Sequence, residues 1–233
     1  MTVGLYVIGF GRRDLLAEQK RLIRKYIEDD HRVVLVDNSR LNFRPAMRRT
    51  AETVGIDYLE APVDGLTIYD TVTSHPDALD YAARIAHAAG EEYWGLLDHD
   101  IFPAERISLA NRIKKAGFYG RAQTAADGRP YLWPGLCFFS REWLAGRIPT
   151  FSGDSVGDVG AATRFLVSAD DWARLPPLPF TYLPIRKEDE FGTQSWTVEI
   201  LDGWVHFTNG SRWKYVPDRQ HRDQILNRML ANL

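Results

Sequence analysis

Apolar runs alternate with amphipathic segments at the start of the chain, and this alternation restricts the possible folds more than any other feature. An unbroken apolar run spans residues 3–10 (VGLYVIGF), and a second run, RVVLV, spans residues 32–36. Runs of this length that end at glycines or at Asp-Asn-Ser are typical of strands buried in a parallel sheet. Between them, apolar residues recur at helical spacing over residues 15–27. A helix at residues 44–54 and a short strand at 57–60 continue the order, which predicts right-handed crossovers.

The middle of the chain adds one more buried strand. A helix is expected over residues 74–89, and Ser74 is its predicted cap. The apolar run at residues 93–97 (YWGLL) then predicts a strand that ends at Asp98-His99-Asp100. A further helix of good helix formers is expected over residues 104–116. These segments extend the alternation of strand and helix.

The second half of the chain has a different character. Short apolar stretches between Gly and Pro predict antiparallel strands at residues 118–124, 131–133 and 136–140, and on either side of Asp202-Gly203. No linker separates the two parts. The predicted fold class is α/β, with a mixed, mainly parallel central sheet flanked by helices and a smaller antiparallel portion. We expect a single domain that comprises residues 1–233.

The composition excludes several classes of protein. A formal net charge of −2 argues against a dedicated nucleic-acid binder, which needs a basic excess to neutralise phosphates. Cys137 is the only cysteine, so no intramolecular disulfide framework is possible and a reducing compartment is expected. No apolar run reaches the roughly 18 residues of a membrane span, and the N-terminus lacks the features of a signal peptide. We therefore expect a cytoplasmic protein with no transmembrane segment.

The pair Asp98 and Asp100 is the strongest chemical signal. Carboxylates one residue apart after a buried strand point to the same side of the chain, at the sheet edge where α/β proteins bind ligands. Such close negative charges are relieved by a cation, and hard oxygen donors suit Mg²⁺ or Mn²⁺, whose coordination shell phosphate oxygens can complete. The alternative is a solvated turn in which Asp100 caps the next helix.

The segment LLDHDIFP, which contains this pair, resembles the DxD segment of GT-A fold glycosyltransferases. The opening strand with VVLVDNS, the helix SHPDALDYA and the late segment GWVHFTNGSRW are similar to parts of family-two glycosyltransferases, in the same order. The resemblance implies a GT-A-like nucleotide-diphospho-sugar transferase fold, in which residues 1–103 form a nucleotide-binding half and residues 104–233 an acceptor or catalytic half. It further implies a metal-dependent, inverting hexosyltransferase-type enzyme.

The resemblance also implies roles for individual residues. The metal, Mn²⁺ or Mg²⁺, is expected at Asp98 and Asp100 with His206 as a third ligand, although a lone histidine on such a strand is often a core residue. The nucleotide-diphosphate sugar is expected to contact Asp98 and a set of donor-binding residues: Asp37, Asn38, Ser74, Ser211 and Arg212. For Asp37 and Asn38 an ordinary turn is the alternative. Arg12 and Arg13 are further candidates for the diphosphate, with a solvated helix start as the alternative.

The catalytic base of such a transfer is an acidic residue that removes the acceptor proton. Asp158, ahead of a helix predicted from residue 161, matches the place where the family keeps this acid. The usual Glu-Asp pair is absent there, and a helix cap is the alternative role. Asp154 and the run Glu188-Asp189-Glu190 are therefore rival candidates.

Trp133 and Gly135 precede a strand where the family places its acceptor wall, and a Trp face can stack on a sugar ring. The acceptor itself, whether a glycan, a lipid-linked molecule or a small molecule, is not specified by these residues. NGSRW is similar to a motif of processive synthases, but those enzymes carry membrane helices, so polymer synthesis is not inferred.

Three other functions compete with a transferase. A non-catalytic sugar- or partner-binding member of the same fold is the main alternative. A nicotinamide-binding Rossmann protein is suggested by Gly9 and Gly11, but Asp14 replaces the third glycine and would repel pyrophosphate. A sugar nucleotidyltransferase lacks its glycine-rich, basic start here.

Overall fold

The computed structural model describes residues 2–62, 71–151, 159–176, 178–189, 192–208 and 219–233, with the backbone alone at 71–74, 180, 182–189, 192–197 and 219–222. The strands described are β1 (Thr2–Gly9), β2 (Asp30–Asp37), β3 (Asp57–Glu60), β4 (Tyr93–Asp98), β5 (Ile101–Pro103), β6 (Phe118–Thr124), β7 (Pro130–Ser140), β8 (Phe180–Asp189), β9 (Gly192–Leu201) and β10 (Trp204–Phe207). The α-helices are α1 (Arg13–Tyr26), α2 (Arg44–Val54), α3 (Thr71–Ala89), α4 (Leu109–Lys114), α5 (Arg141–Leu144), α6 (Ala169–Arg174) and α7 (Arg219–Asn232), and a 3₁₀ helix spans Ala161–Phe165.

The described strands form two sheets. The larger sheet has six strands in the order β3-β2-β1-β4-β7-β6, and the smaller has four in the order β5-β10-β9-β8. Strands β3, β2, β1 and β4 run parallel, while β7 is antiparallel to both β4 and β6. This arrangement confirms the predicted mixed, mainly parallel central sheet with a smaller antiparallel portion.

The two faces of the central sheet are separated by the alternation of side chains along its strands. In β1, Val3, Leu5 and Val7 contribute to the core cluster that contains residues of α1 and α2. Tyr6 and Ile8 contribute to the opposite cluster, which contains the alanine-rich face of α3. Both faces of these strands are covered. This explains why their apolar runs are continuous in sequence.

The smaller sheet packs against helices from both ends of the chain. Its core includes Phe102 of β5 and Phe207 of β10, whose rings meet edge to face with centroids 5.9 Å apart. Leu15 and Leu22 of α1 and two leucines of α7 complete this cluster. Helix α1 thus contacts both sheets, which fixes the position of one relative to the other. Within the described residues, we find no helix with the length and apolarity needed to cross a membrane.

The helix predicted over residues 104–116 is wrong in its first half. Strand β5 ends at Pro103, and the residues after it are held by distant partners: the amide of Ala104 donates to the carbonyl of Gly203 at 2.7 Å, and the amide of Ile107 donates to the carbonyl of Tyr26 at 2.8 Å. Helix α4 begins only after Ser108, whose hydroxyl accepts from the Asn111 amide. Asp29 accepts from the Leu109 amide at 2.6 Å. Partners distant in sequence therefore override the helix propensity of residues 104–108.

The two short strands predicted around Pro134 are a single strand, β7. Its register against β6 shifts between Gly120 and Ala122, so the missing amide of Pro134 falls at an irregularity of the ladder. The segment predicted as a helix from residue 161 begins as the 3₁₀ helix, and α6 follows it. Pro184 lies in β8, an edge strand, which is the position that a strand proline tolerates.

Asp171 of α6 provides a test of stability. It forms a capping box with Ser168 and accepts a hydrogen bond from the Trp143 indole at 3.2 Å. Burial acts to raise the pKa of Asp171, but these donors lower it to about 2 from an ordinary value of 3.8. Because the folded-state pKa is depressed, the stabilisation is full above pH 3.8 and is lost as the pH falls toward 2.

We predict that Asp171→Ala lowers the free energy of unfolding by about 1–2 kcal/mol at neutral pH. The difference from the wild type, measured by urea unfolding, should shrink as the pH is lowered toward 2, because the wild type then loses the same interactions. A constant difference at every pH would contradict this assignment.

Candidate active site

The carboxyl ends of β1, β2 and β4 place polar side chains at one edge of the central sheet. In the parallel register, Gly9 of β1 lies beside Asp37 of β2, and Ile8 lies beside Asp98 of β4. Asp37 and Asp98 are therefore on the two strands that flank β1. This edge is where open α/β sheets bind ligands.

Asp37 organises the loop that follows β2. One of its carboxylate oxygens accepts from the Ser39 amide at 2.9 Å, and the other accepts from the Tyr58 hydroxyl at 2.7 Å. The Asn38 amide donates to the carbonyl of Gly9 at 2.9 Å, which attaches this loop to β1. Asp37 and Asn38 are both buried. The two residues predicted to bind the nucleotide thus lie at the carboxyl edge of the central sheet, and Asp37 also shapes its loop.

A tight turn at His99-Asp100 carries the chain from the central sheet to the smaller one. Strand β4 ends at Asp98 and β5 begins at Ile101, which pairs with His206 of β10. The carbonyl of Asp100 accepts from the amide of Phe207 at 3.0 Å. The turn therefore brings both aspartates of the DxD segment next to the strand that carries His206.

Gln19 of α1 holds this turn, and the sequence analysis did not identify it. Its side-chain amide donates to the carbonyl of Asp98 at 2.9 Å and to the carbonyl of Ile101 at 2.7 Å. Gln19 is fully buried between Leu15, Leu16, Leu22 and Ile23 on the apolar face of α1. A single polar residue at helical spacing within an apolar face was the available signal, since such a residue needs a buried partner.

The negative charge of Asp98 is balanced by imidazoles. Nε2 of His75, in α3, lies 3.2 Å from Oδ1 of Asp98. Burial alone raises the pKa of Asp98, but His75, then His99 and His206, hold that pKa below its ordinary value. The ring of His99 is anchored on β1, because Nδ1 donates to the carbonyl of Ile8 at 3.1 Å. The sequence analysis did not identify His75, because it lies 23 residues before Asp98 along the chain and only the fold brings the two together.

His206 lies between two carboxylates. Nδ1 is 2.6 Å from Oε2 of Glu199, and Nε2 is 3.8 Å from Oδ1 of Asp100. Burial lowers the pKa of His206, but the hydrogen bond with Glu199 and the charges of Asp100 and Asp98 raise it above its ordinary value. For the carboxyl of Glu199 the directions are reversed. Burial raises its pKa, but His206 and Arg121 bring that pKa below its ordinary value. The structure thus brings the three predicted metal ligands, Asp98, Asp100 and His206, into one charged cluster.

Trp133 forms the wall beside His206. The two ring centroids are 4.7 Å apart, and the guanidinium carbon of Arg121 lies 5.3 Å from the Trp133 centroid. A Cβ added to Gly135 would come within 2.4 Å of the Trp133 ring, so only a glycine leaves room for the ring here. The predicted acceptor residues Trp133 and Gly135 therefore lie against each other, and Trp133 also lies beside His206.

The donor atoms of the cluster suit a divalent cation, although they do not converge fully. Among the described residues, no three His, Cys, Asp or Glu side chains form a ready-made cation site. The 3.8 Å between Nε2 of His206 and Oδ1 of Asp100 exceeds a hydrogen bond and is compatible with two ligands of one ion, each at about 2.0–2.2 Å. Mg²⁺ commonly uses one or two carboxylates and completes its shell with water and phosphate. The residues therefore fit a cation that shares its shell with a ligand.

Several predicted residues lie outside the described parts of the chain. These are the candidate base Asp158, its rivals Asp154 and Glu190, and the donor-binding candidates Ser211 and Arg212. Ser74, Glu188 and Asp189 are described by their backbone only, Ser74 in α3 and the other two in β8.

Phe151 and Gly160, on either side of segment 152–158, are described. The amide of Gly160 donates to the carbonyl of Phe151 at 3.0 Å, and a Cβ on Gly160 would lie 2.7 Å from the carbonyl oxygen of Leu132 in β7. These two flanking residues are therefore joined to each other, and Gly160 lies next to the strand that carries Trp133.

Arg12, which was considered for the diphosphate, is engaged elsewhere. Its guanidinium pairs with Asp14 at 2.7 Å and with Asp223 of α7 at 3.1 Å. These two carboxylates tie the first turn of α1 to α7. Arg13 is exposed at the start of α1.

Comparison with known proteins gives only distant matches. Neither the protein-family models nor the curated proteins contain a match to this chain. Among solved structures, TarS of S. aureus is 13% identical with a TM-score of 0.36, over 65% of this chain and 30% of that one. Galactosyltransferase LgtC, in complex with donor and acceptor sugar analogs, is 13% identical with a TM-score of 0.37, over 74% of this chain and 64% of that one. Mouse xyloside xylosyltransferase 1 is 10% identical with a TM-score of 0.37, over 63% of this chain and 69% of that one.

The chain thus spans less than two thirds of the length of TarS and of LgtC. Galactosyl- and xylosyltransferases stand among the solved structures that it resembles, at low identity and low superposition. Donor, acceptor and metal requirement have to be inferred from the site itself.

We predict that Gln19→Leu destabilises the protein by about 1–3 kcal/mol, because two buried carbonyls lose their donor. Chemical denaturation measures this cost. Gln123→Leu is the matched control, since Gln123 is only partly buried and accepts one bond, from the Tyr131 hydroxyl. Equal costs for the two variants would show that Gln19 does not hold the turn.

Proposed function

We propose that the protein is a metal-dependent glycosyltransferase that moves a sugar from a nucleotide-diphosphate donor to an acceptor hydroxyl, with inversion. The observation that carries this proposal is the cluster of Asp98, Asp100 and His206 at the carboxyl edge of the sheet. Two buried or nearly buried carboxylates and an imidazole at that edge match the needs of a cation that neutralises a diphosphate.

The donor is assigned to the same edge. In this proposal Asp37 and Asn38 contact the nucleoside, and the diphosphate lies toward Asp98 and the start of α3, where Ser74 is located. Ser211 and Arg212 contact the diphosphate from the C-terminal segment. Because α3 already reaches Asp98 through His75, its N-terminal end is directed toward the expected diphosphate and favours a negative group.

Asp98, Asp100 and His206 would hold Mn²⁺ or Mg²⁺. When bound, such a cation supplies Lewis-acid stabilisation of the negative charge that develops on the leaving diphosphate. The side chains of this cluster compensate one another without it: His75 and His206 offset the carboxylates, and Glu199 orients His206. The proposal therefore includes an exchange at His206, in which the cation takes the place of a proton on Nε2.

Asp158 is proposed as the general base. The acceptor hydroxyl gives its proton to the carboxylate, and the hydroxyl oxygen attacks the anomeric carbon at the same time. The bond between that carbon and the diphosphate oxygen breaks, and the nucleoside diphosphate leaves. Support comes from Phe151 and Gly160 on either side of segment 152–158: the Gly160 amide donates to the Phe151 carbonyl, and Gly160 lies next to Leu132 of β7, the strand that carries Trp133. Asp154 and the run Glu188-Asp189-Glu190 are the other candidates for this role.

The acceptor is assigned to the side formed by Trp133 and Gly135. A glycan, a lipid-linked molecule or a small molecule is compatible with this wall, and no nucleic-acid partner is proposed. A cytoplasmic location is proposed from the single cysteine, Cys137, which is buried and carries a free thiol.

The first test is calorimetric titration with UDP and with GDP, with and without Mn²⁺. We predict that one nucleotide binds in a metal-dependent manner, and that Asp98→Ala and Asp100→Ala each remove this dependence and lower turnover at least about 100-fold. Asp127→Asn, in the β6–β7 hairpin, is the control and should behave as the wild type. Metal-independent binding that both alanine variants retain would refute the proposed site, and binding without turnover would favour a non-catalytic sugar-binding protein.

The second test concerns the base. We predict that Asp158→Asn retains donor binding and loses transfer by about 10²–10⁴-fold, the usual contribution of a general base. Asp154→Asn is the matched comparison from the same segment. If only Asp154→Asn loses transfer, the role belongs to Asp154; if neither does, the acidic run at residues 188–190 becomes the candidate.

A further inference from the structure

We infer that Glu199 is a positioning residue for the cation, and that Arg121 locks Glu199 in place and links it to the acceptor wall at Trp133. This inference rests on the proposed function, since it concerns the way His206 presents a nitrogen to a metal. The sequence did not predict the contacts of Glu199 with His206, of Arg121 with Glu199, or of Arg121 with Trp133. They join β6 and β7 of the central sheet to β9 and β10 of the smaller sheet.

The contact between Glu199 and His206 follows from strand pairing. The two residues are direct partners in the antiparallel register of β9 and β10, so their side chains leave the same face of the sheet. Both are buried, with 4% and 7% of their surface exposed. A carboxylate oxygen only accepts hydrogen bonds, so the 2.6 Å contact places a proton on Nδ1 of His206.

With Nδ1 protonated, Nε2 is the nitrogen available to a metal. It is the atom that faces Asp100, at 3.8 Å from Oδ1. Histidines that bind metals usually donate their other ring N–H to a carboxylate or carbonyl, which sets the tautomer and the ring orientation. Glu199 meets this requirement before any cation is bound.

Arg121 prevents Glu199 from turning away. Its Nη1 donates to Oε2 of Glu199 at 2.6 Å, and this is the same oxygen that accepts from His206. Arg121 lies where the register of β6 and β7 shifts, between Gly120 and Ala122. Such irregularities redirect a side chain, and here the guanidinium extends from the central sheet to the smaller one.

Trp133 closes the ring of contacts. Its indole lies against His206 and beneath the guanidinium of Arg121, with the distances given above. Arg121, Glu199, His206 and Trp133 therefore form one packed unit. A change at the acceptor wall should alter the presentation of His206, so cation affinity and the acceptor side are coupled.

The test measures Mn²⁺ affinity in the presence of the nucleotide that binds, from the electron paramagnetic resonance of free Mn²⁺. We expect Glu199→Met to weaken Mn²⁺ binding about 10–100-fold. Glu199→Gln retains one acceptor oxygen and should recover part of this loss. Trp133→Ala should weaken Mn²⁺ binding in the same direction. Asp202→Asn is the matched control, since it breaks another ion pair at the smaller sheet, with Arg112 of α4 at 2.8 Å, and should leave Mn²⁺ affinity unchanged.

A second readout needs neither metal nor activity. Nitrogen-15 NMR of the histidine rings, at a pH at which His206 is neutral, should show Nδ1 protonated and Nε2 unprotonated in the wild-type protein, and Glu199→Met should populate the other tautomer. A wild-type His206 without the Nδ1 proton overturns the inference, as does a folded Glu199→Met variant whose Mn²⁺ affinity falls by less than about threefold. If the wild type binds no Mn²⁺ with either nucleotide, the proposed function fails, and the tautomer measurement still decides the role of Glu199.

Discussion

The two hydrogen bonds from the Gln19 amide to the carbonyls of Asp98 and Ile101 are the interaction on which the rest of the site depends. They close the turn at which the chain leaves the central sheet and enters the smaller one. Both carbonyls lie at the ends of strands, and the donor that satisfies them comes from helix α1. Helix α1 also packs against both sheets. The same helix therefore supplies the side chain that holds the turn and fixes the position of the two sheets around it. This turn places Asp98 and Asp100 next to the strand that carries His206.

Charge compensation is the second organising constraint. Asp98 and Asp100 lie close together with little solvent, and such a pair is costly unless positive charge lies nearby. The imidazoles of His75 in α3 and His206 in β10 lie against these carboxylates and supply positive charge when protonated, and Glu199 with Arg121 extends the alternation of charged groups outward. Each of these groups comes from a different element, so the site is complete only when both sheets and α3 are in place. A divalent cation would enter a cluster that is already arranged for positive charge at its centre.

Much of the architecture could be predicted from hydrophobic periodicity. The continuous runs in β1, β2 and β4 indicated strands covered on both faces, and they occupy adjacent positions in one sheet. Prediction failed where long-range pairing competed with local preference. Residues 104–108 favour a helix, but Ala104 is bonded to Gly203, which precedes β10, and Ile107 is bonded to Tyr26 at the end of α1. Pro134 predicts the end of a strand, but the register shift accommodates it within β7. In both places the deciding partner lies on another element, which local sequence patterns do not reveal.

The sequence by itself determined the order of strands and helices and the placement of Asp37, Asp98 and Asp100 at strand ends, because side-chain periodicity and turn chemistry are local properties. It also marked His206 and Trp133 as candidates. Only the tertiary structure decided which groups meet them: Gln19 and His75 at the turn, and Glu199 and Arg121 around His206. Most of these contacts join residues that are far apart along the chain, and Glu199 meets His206 because the register of β9 and β10 places the two side by side. All of them depend on sheet register and on the packing of α1 and α3, which the fold as a whole sets and local sequence patterns do not.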